Sequence, residues 1–137
     1  MSTDVTGSDA RDFRRQMTHY LRKAIAFDTT NIGTAATVKV GTLPAGAVIM
    51  RAVVKVNTAF DAGTTNYINV GTSADDDAIV DQDDIDLTAA EWQATYRGCD
   101  LTLTAATPVY VTYTQSGDAA TAGAAIVIIE FIPDNDK

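Results

Sequence analysis

Val48-Ile49-Met50-Arg51-Ala52-Val53-Val54-Lys55-Val56-Asn57 is the stretch that decides how the rest of the chain is read. Val48, Met50, Ala52, Val54 and Val56 fall on one face of an extended chain, and Arg51, Lys55 and Asn57 on the other. That alternation has the period of a half-buried β-strand, and the β-branched residues suit a pleated surface. Just upstream, Leu43-Pro44-Ala45-Gly46 fits a tight turn with proline at its second position. Downstream, Asp61-Ala62-Gly63-Thr64 turns into a strand over 67–70, which predicts a hairpin. Further out, strands are predicted over 24–28, 35–40, 101–103 and 108–114, with a small-residue loop over 115–123. The final run, 124–132, is apolar on both faces apart from Glu130. Val127, Ile129 and Phe131 lie on one face, with Ile126, Ile128 and Ile132 on the other. A strand of that kind is central or covered on both sides, so its second face is either deep core or a subunit interface. Seven or eight short strands joined by turns predict an all-β chain, an antiparallel β-sandwich or jelly roll.

The N-terminal part reads differently. Ser8 or Asp9 can cap a helix, and Asp9 and Asp12 place acids in its first turn. Phe13, Met17, Tyr20, Leu21 and Ala24 follow at helical spacing, and Arg22 and Lys23 sit where cations favour a helix end. The spacing predicts an amphipathic helix over 9–23. It divides the chain into a basic helical arm, 1–23, and a β domain, 24–137. An isolated helix of this length is marginal in water, so its stripe needs a partner, either its own β domain or a neighbouring subunit. Candidate contacts are Arg11, Phe13, Arg14, Arg15, Met17, Tyr20 and Leu21. The formal charge of −8 is unevenly spread. Residues 1–23 hold five basic and three acidic groups, whereas 24–137 hold five basic and fifteen acidic. An acidic body repels nucleic acid, while a basic arm suits the acidic face of a neighbouring protein, another copy of this chain included.

Catalytic signatures are missing from the sequence. The only histidine is His19, so multi-histidine metal sites within one chain are excluded, and no nucleophile turn surrounds it. The single cysteine, Cys99, excludes an intrachain disulfide and reads as a small buried thiol of a protein made in a reducing compartment. The glycines form no phosphate-binding loop, and no cofactor is predicted. No apolar run approaches the ~20 residues that span a bilayer, and the N-terminus lacks the regions of a signal peptide. The remaining cluster is acidic: Asp75, Asp76, Asp77, Asp81, Asp83, Asp84 and Asp86. Its oxygens suit a hard cation, yet counting from Asp81 puts Asp86 where an EF-hand needs glycine and Trp92 where it needs glutamate. It reads as a solvated, charged loop, with a structural Ca2+ site as the weaker alternative.

Several stretches resemble a known family. They are Leu21-Arg22-Lys23-Ala24-Ile25-Ala26-Phe27, Val40-Gly41-Thr42-Leu43-Pro44-Ala45-Gly46-Ala47-Val48-Ile49, and the run from Val54-Lys55-Val56-Asn57-Thr58-Ala59-Phe60 to Ile68-Asn69-Val70-Gly71-Thr72-Ser73. Pro108-Val109-Tyr110-Val111-Thr112-Tyr113-Thr114-Gln115 and the terminal strand complete the set. Over roughly residues 21–133 the chain is similar to small structural proteins encoded among the virion genes of tailed phages and prophages. The resemblance implies a non-enzymatic capsid decoration (cement) or head-fibre-base protein, made in the bacterial host cytoplasm and carried on the outer capsid surface. Its implied partners are the major capsid protein and itself, as a homotrimer whose arms clamp adjoining capsid subunits. A tail-associated or receptor-binding phage module is the alternative.

Overall fold

Alternating apolar and polar residues draw the chain into strands that hide one face each. The computed structural model describes residues 17–29 and 35–134. Among them are seven strands: β1 (His19–Ala26), β2 (Ala35–Leu43), β3 (Val48–Thr58), β4 (Thr65–Gly71), β5 (Trp92–Thr95), β6 (Thr107–Ser116) and β7 (Ala124–Ile132). A short 3-10 helix, Arg97–Asp100, follows β5. One sheet has the order β1-β7-β3-β5 and the other β2-β6-β4, and the paired strands are antiparallel. The core lies between them, built from Ile49, Val54, Val127 and Ile129 of the first sheet and Leu43, Ile68, Val70, Val109, Val111 and Tyr113 of the second.

β7 is central, as its two apolar faces predict. Ala125, Val127, Ile129 and Phe131 are buried, while Ile126 and Ile128 are half-buried on the opposite face. β3 departs from its predicted face at one point. A register shift between Ile49 and Arg51 leaves Met50 as an extra residue against β7. Because side chains alternate, one extra residue reverses the faces on one side of it. Ile49 is therefore buried with Ala52, Val54 and Val56, and Val48 and Met50 are exposed.

The predicted helix over 9–23 is corrected where it is described. Residues 19–23 are the first part of β1, which continues through Lys23–Ala24 to Ala26. β1 pairs with β7 from His19↔Phe131 to Ala26↔Ala124, which satisfies backbone groups that a helix would have turned inward on itself. Leu21 and Ile25 face the core, and a spacing of four residues fits both periods. Residues 9–16 lie outside the described part.

Other expectations shift for local reasons. The hydrogen bond Ala47 N→Pro44 O makes Gly46 the third turn residue, with φ 78°, so proline stands first rather than second. β3 and β4 lie in different sheets, so the predicted hairpin is a crossing between layers. Phe60 is buried at that crossing, and Asp61 accepts bonds from the Thr121 N–H, Thr121 hydroxyl and Ala122 N–H to hold the facing loop. Leu101–Leu103 is not a strand but the exit from the 3-10 helix, with Leu103 buried.

The acidic cluster from Asp75 to Asp86, read as a solvated loop, lies in a connection, 72–91, that is partly core. Ile79, Val80 and Leu87 are fully buried and Ile85 nearly so. It leaves β4, makes one antiparallel bridge back to it (Val70↔Val80), and crosses to β5.

Candidate interaction surfaces

The outward face of the four-stranded sheet follows from its register. Tyr20, Glu130 and Arg51 form one row; Arg22, Ile128, Val53 and Ala94 the next; Ala24, Ile126, Lys55 and Trp92 a third. Arg51 donates to both carboxylate oxygens of Glu130, at 2.8 and 3.2 Å. Its guanidinium also lies 5.1 Å from the centroid of the Trp92 ring, a cation–π arrangement. The Glu130 bond raises the arginine above its ordinary pKa. Val53, flanked by these groups, is buried although it points away from the core cluster. Tyr20 and Tyr96 are each 64% exposed and Trp92 52%. This face is therefore aromatic and cationic around an apolar middle.

The opposite outward face, on the three-stranded sheet, carries hydroxyls. Thr37 and Thr112 bond through their side chains at 2.9 Å, and Thr65 and Ser116 at 2.6 Å. A depression of about 340 Å3 opens there, lined by Thr37, Thr72, Ser73, Asp76, Tyr110 and Thr112.

The acidic candidates divide into two groups. Carboxylate oxygens of Asp75, Asp76 and Asp77 lie within 4.8 Å of one another. The hydrogen bond between Asp75 and Asp77, then burial and the neighbouring negative charges, push Asp77 above the usual carboxylate range. Asp81 and Asp84 are engaged elsewhere, and Asp83 lies exposed beside them. The Asp81 carboxylate accepts from the Asp83 N–H. Asp84 accepts from the Asp81 N–H, the Thr95 hydroxyl and Arg97 Nε, the last at 2.9 Å. Arg97 also lies 3.5 Å from Asp81 and holds the Asp84 carboxyl below its usual range. Asp86 accepts from the Thr88 N–H and hydroxyl, and its backbone bonds the Gln93 side chain. Only the first group converges as cation ligands would.

The other candidates are scattered. Arg11, Phe13, Arg14 and Arg15 lie outside the described residues. Met17 is exposed ahead of β1, Tyr20 points outward, and Leu21 packs inward beside Gly41. His19 leans on the Phe131 ring. Cys99 is exposed rather than buried, its thiol bonding the Met50 carbonyl oxygen at 3.0 Å. Trp92 and the Arg51–Glu130 pair escaped sequence reading because β5 has only four residues and the row order depends on sheet topology. No helix among the described residues is long and apolar enough to cross a membrane.

Among known proteins, the likenesses of this chain are structural. No protein-family model matches it, and no curated protein does. Solved structures do. The fold is shared with chains of phage capsids. A chain of the cyanophage Pam1 capsid asymmetric unit superposes with a TM-score of 0.68 at 19% identity, covering 86% of each chain. One from the acid-stable capsid of Helicobacter pylori bacteriophage KHP30 gives 0.61 at 15%, covering 88% of this chain and 91% of that one. One from the capsid of Ralstonia phage GP4 gives 0.56 at 15%, with 85% and 84% covered. The superpositions establish a common fold, and identities this low add nothing beyond it. The near-equal coverage adds that each match is between whole chains of similar length.

Proposed function

We propose that this chain is a non-enzymatic structural protein of a phage virion, a capsid decoration (cement) or head-fibre-base protein on the outer surface of the shell. The observation that carries the reading is the whole-chain likeness to chains in three phage capsid structures. A match to one domain of a large subunit would have left most of the other chain uncovered. The strand order β1-β7-β3-β5 over β2-β6-β4 supports a jelly-roll reading. The Val70↔Val80 bridge stands where an eighth strand would flank β4.

The function proposed is adhesion. The sandwich self-associates as a small oligomer, a trimer in the simplest case, and grips the major capsid protein. Of the arm read over 1–23, the part ahead of β1, with Arg11, Phe13, Arg14, Arg15 and Met17, is proposed to reach the neighbouring subunits. Tyr20, Trp92 and Tyr96 suit the anchoring role that exposed aromatics take at interfaces. Apolar burial at ~25 cal/mol per Å2, repeated over a symmetric shell, supplies binding without chemistry. A receptor-binding tail module is the second reading, favoured by the hydroxyl-lined depression around Tyr110.

The test is to separate heads from tails of purified particles and quantify this chain by mass spectrometry. The capsid reading expects it in the head fraction, in fixed proportion to the major capsid protein. Recovery with tails alone would establish the second reading.

A further inference from the structure

Charge divides the sandwich into two unlike sides. β1 and β2 are edge strands of their respective sheets and lie against each other, so close that a Cβ at Gly41 would come within 2.9 Å of Leu21. Between them these strands carry Arg22, Lys23 and Lys39 and no carboxylate. None of the three cations has an ion-pair partner among the described residues. At the opposite edges, β4 and β5 are joined by the connection 72–91. Residues 72–97 hold eight carboxylates, at Asp75, Asp76, Asp77, Asp81, Asp83, Asp84, Asp86 and Glu91, against the single cation Arg97. Arg97 is already committed to Asp84 and Asp81. Asp75, Asp76, Asp83 and Glu91 are exposed and no ion pair reaches them. Each side also presents aromatic surface: Tyr20 on β1, Trp92 and Tyr96 at β5.

We propose that the basic β1–β2 side of one copy docks against the acidic β4–β5 connection of a second copy. The inference rests on the self-association proposed above and gives it a surface. Unlike sides at opposite edges of one molecule repeat head to tail, and such a contact closes into a ring when its rotation allows. A two-fold arrangement would set like side against like, where charges repel. The ion pairs choose the register and the aromatics supply anchoring area. The lysines would also relieve the crowding of Asp75, Asp76 and Asp77.

The experiment uses the full chain and reads its mass by light scattering or sedimentation at stepped ionic strength. The wild type should be oligomeric in dilute buffer and shift toward monomer as salt shortens the screening length to about 3 Å near 1 M. Arg22→Glu with Lys39→Glu should give a monomer, as should Asp75→Lys with Asp76→Lys; circular dichroism checks that both remain folded. Mixed in equal amounts, the two variants should associate, since each keeps the side the other lost. Should a double variant misfold, Lys39→Glu and Asp76→Lys singly, both at exposed positions, give the same mixing test. A wild type monomeric in dilute buffer, reversals that leave the oligomer intact, or folded variants that ignore each other would overturn the proposal. A monomer still present in purified heads would overturn this contact and leave the virion reading standing.

Discussion

β7 and the connection 72–91 build the same core by opposite means. β7 is nine residues of nearly uninterrupted apolar sequence held between two strands, and its backbone bonds run to β1 and β3. The connection is broken by turns and carries eight acids, yet it places Ile79, Val80, Ile85 and Leu87 in the same cluster. It can do so because the polar groups of its second half are met locally, by carboxylate-capped turns at Asp81 and Asp86 and by Arg97 on Asp84. Burial therefore depends less on strand periodicity than on whether the backbone and charges nearby are satisfied.

The largest expected effects are core truncations in the two regions. Ile129→Ala in β7 and Leu87→Ala in the connection should each cost ~2–5 kcal/mol in denaturant unfolding. A cost under about 1 kcal/mol at Leu87 would mean that the connection covers the core without belonging to it. The bulge sharpens the same contrast within β3. Ile49→Ala should cost ~2–4 kcal/mol, and Met50→Ala, one residue on, within about 0.5 kcal/mol of nothing. Equal costs would place the extra residue elsewhere.

Tyr113 tests the buried polar end of the core. Its hydroxyl donates to Asn66 Oδ1 at 2.8 Å, and burial pushes its pKa to about 12. Tyr113→Phe should cost about 1 kcal/mol at neutral pH. The neutral phenol is favoured in the fold, so the linked stability is full below the ordinary tyrosine value near 10 and is lost as pH rises toward about 12. The phenylalanine variant should lose that alkaline dependence, read from melting temperatures across pH.

The smallest effect is expected at Arg97. Asp84 is held below the usual carboxylate range by that cation, so its contribution is full above the usual range and falls away as pH drops through the depressed value. Arg97→Ala should lower stability slightly at neutral pH and flatten the acid limb of the stability profile. An unchanged acid limb would show that Asp84 is held by its other donors.

How far the fold was legible follows from the same contrast. The second half of β3 declares itself by alternation, and β7 by its nearly unbroken apolar run. His19–Ala26 does not, because Leu21 and Ile25 are spaced for a helix face and for a strand face alike. The extra residue at Met50 leaves no compositional trace, since Val48 and Met50 are apolar and still exposed. β5 is too short to show a period, and the core residues of 72–91 are masked by the aspartates around them. Among the candidate contacts, Tyr20 was legible as an apolar position but not as part of a sheet face. The Arg51–Glu130–Trp92 arrangement and the two charged sides depend on sheet order, which local sequence does not encode.

The most direct test of the virion reading is cryo-electron microscopy of the intact particle that carries this chain. The account predicts sandwich-sized density on the outer shell, repeated at capsid symmetry positions, into which β1–β7 fit. A particle whose shell lacks that density would contradict it.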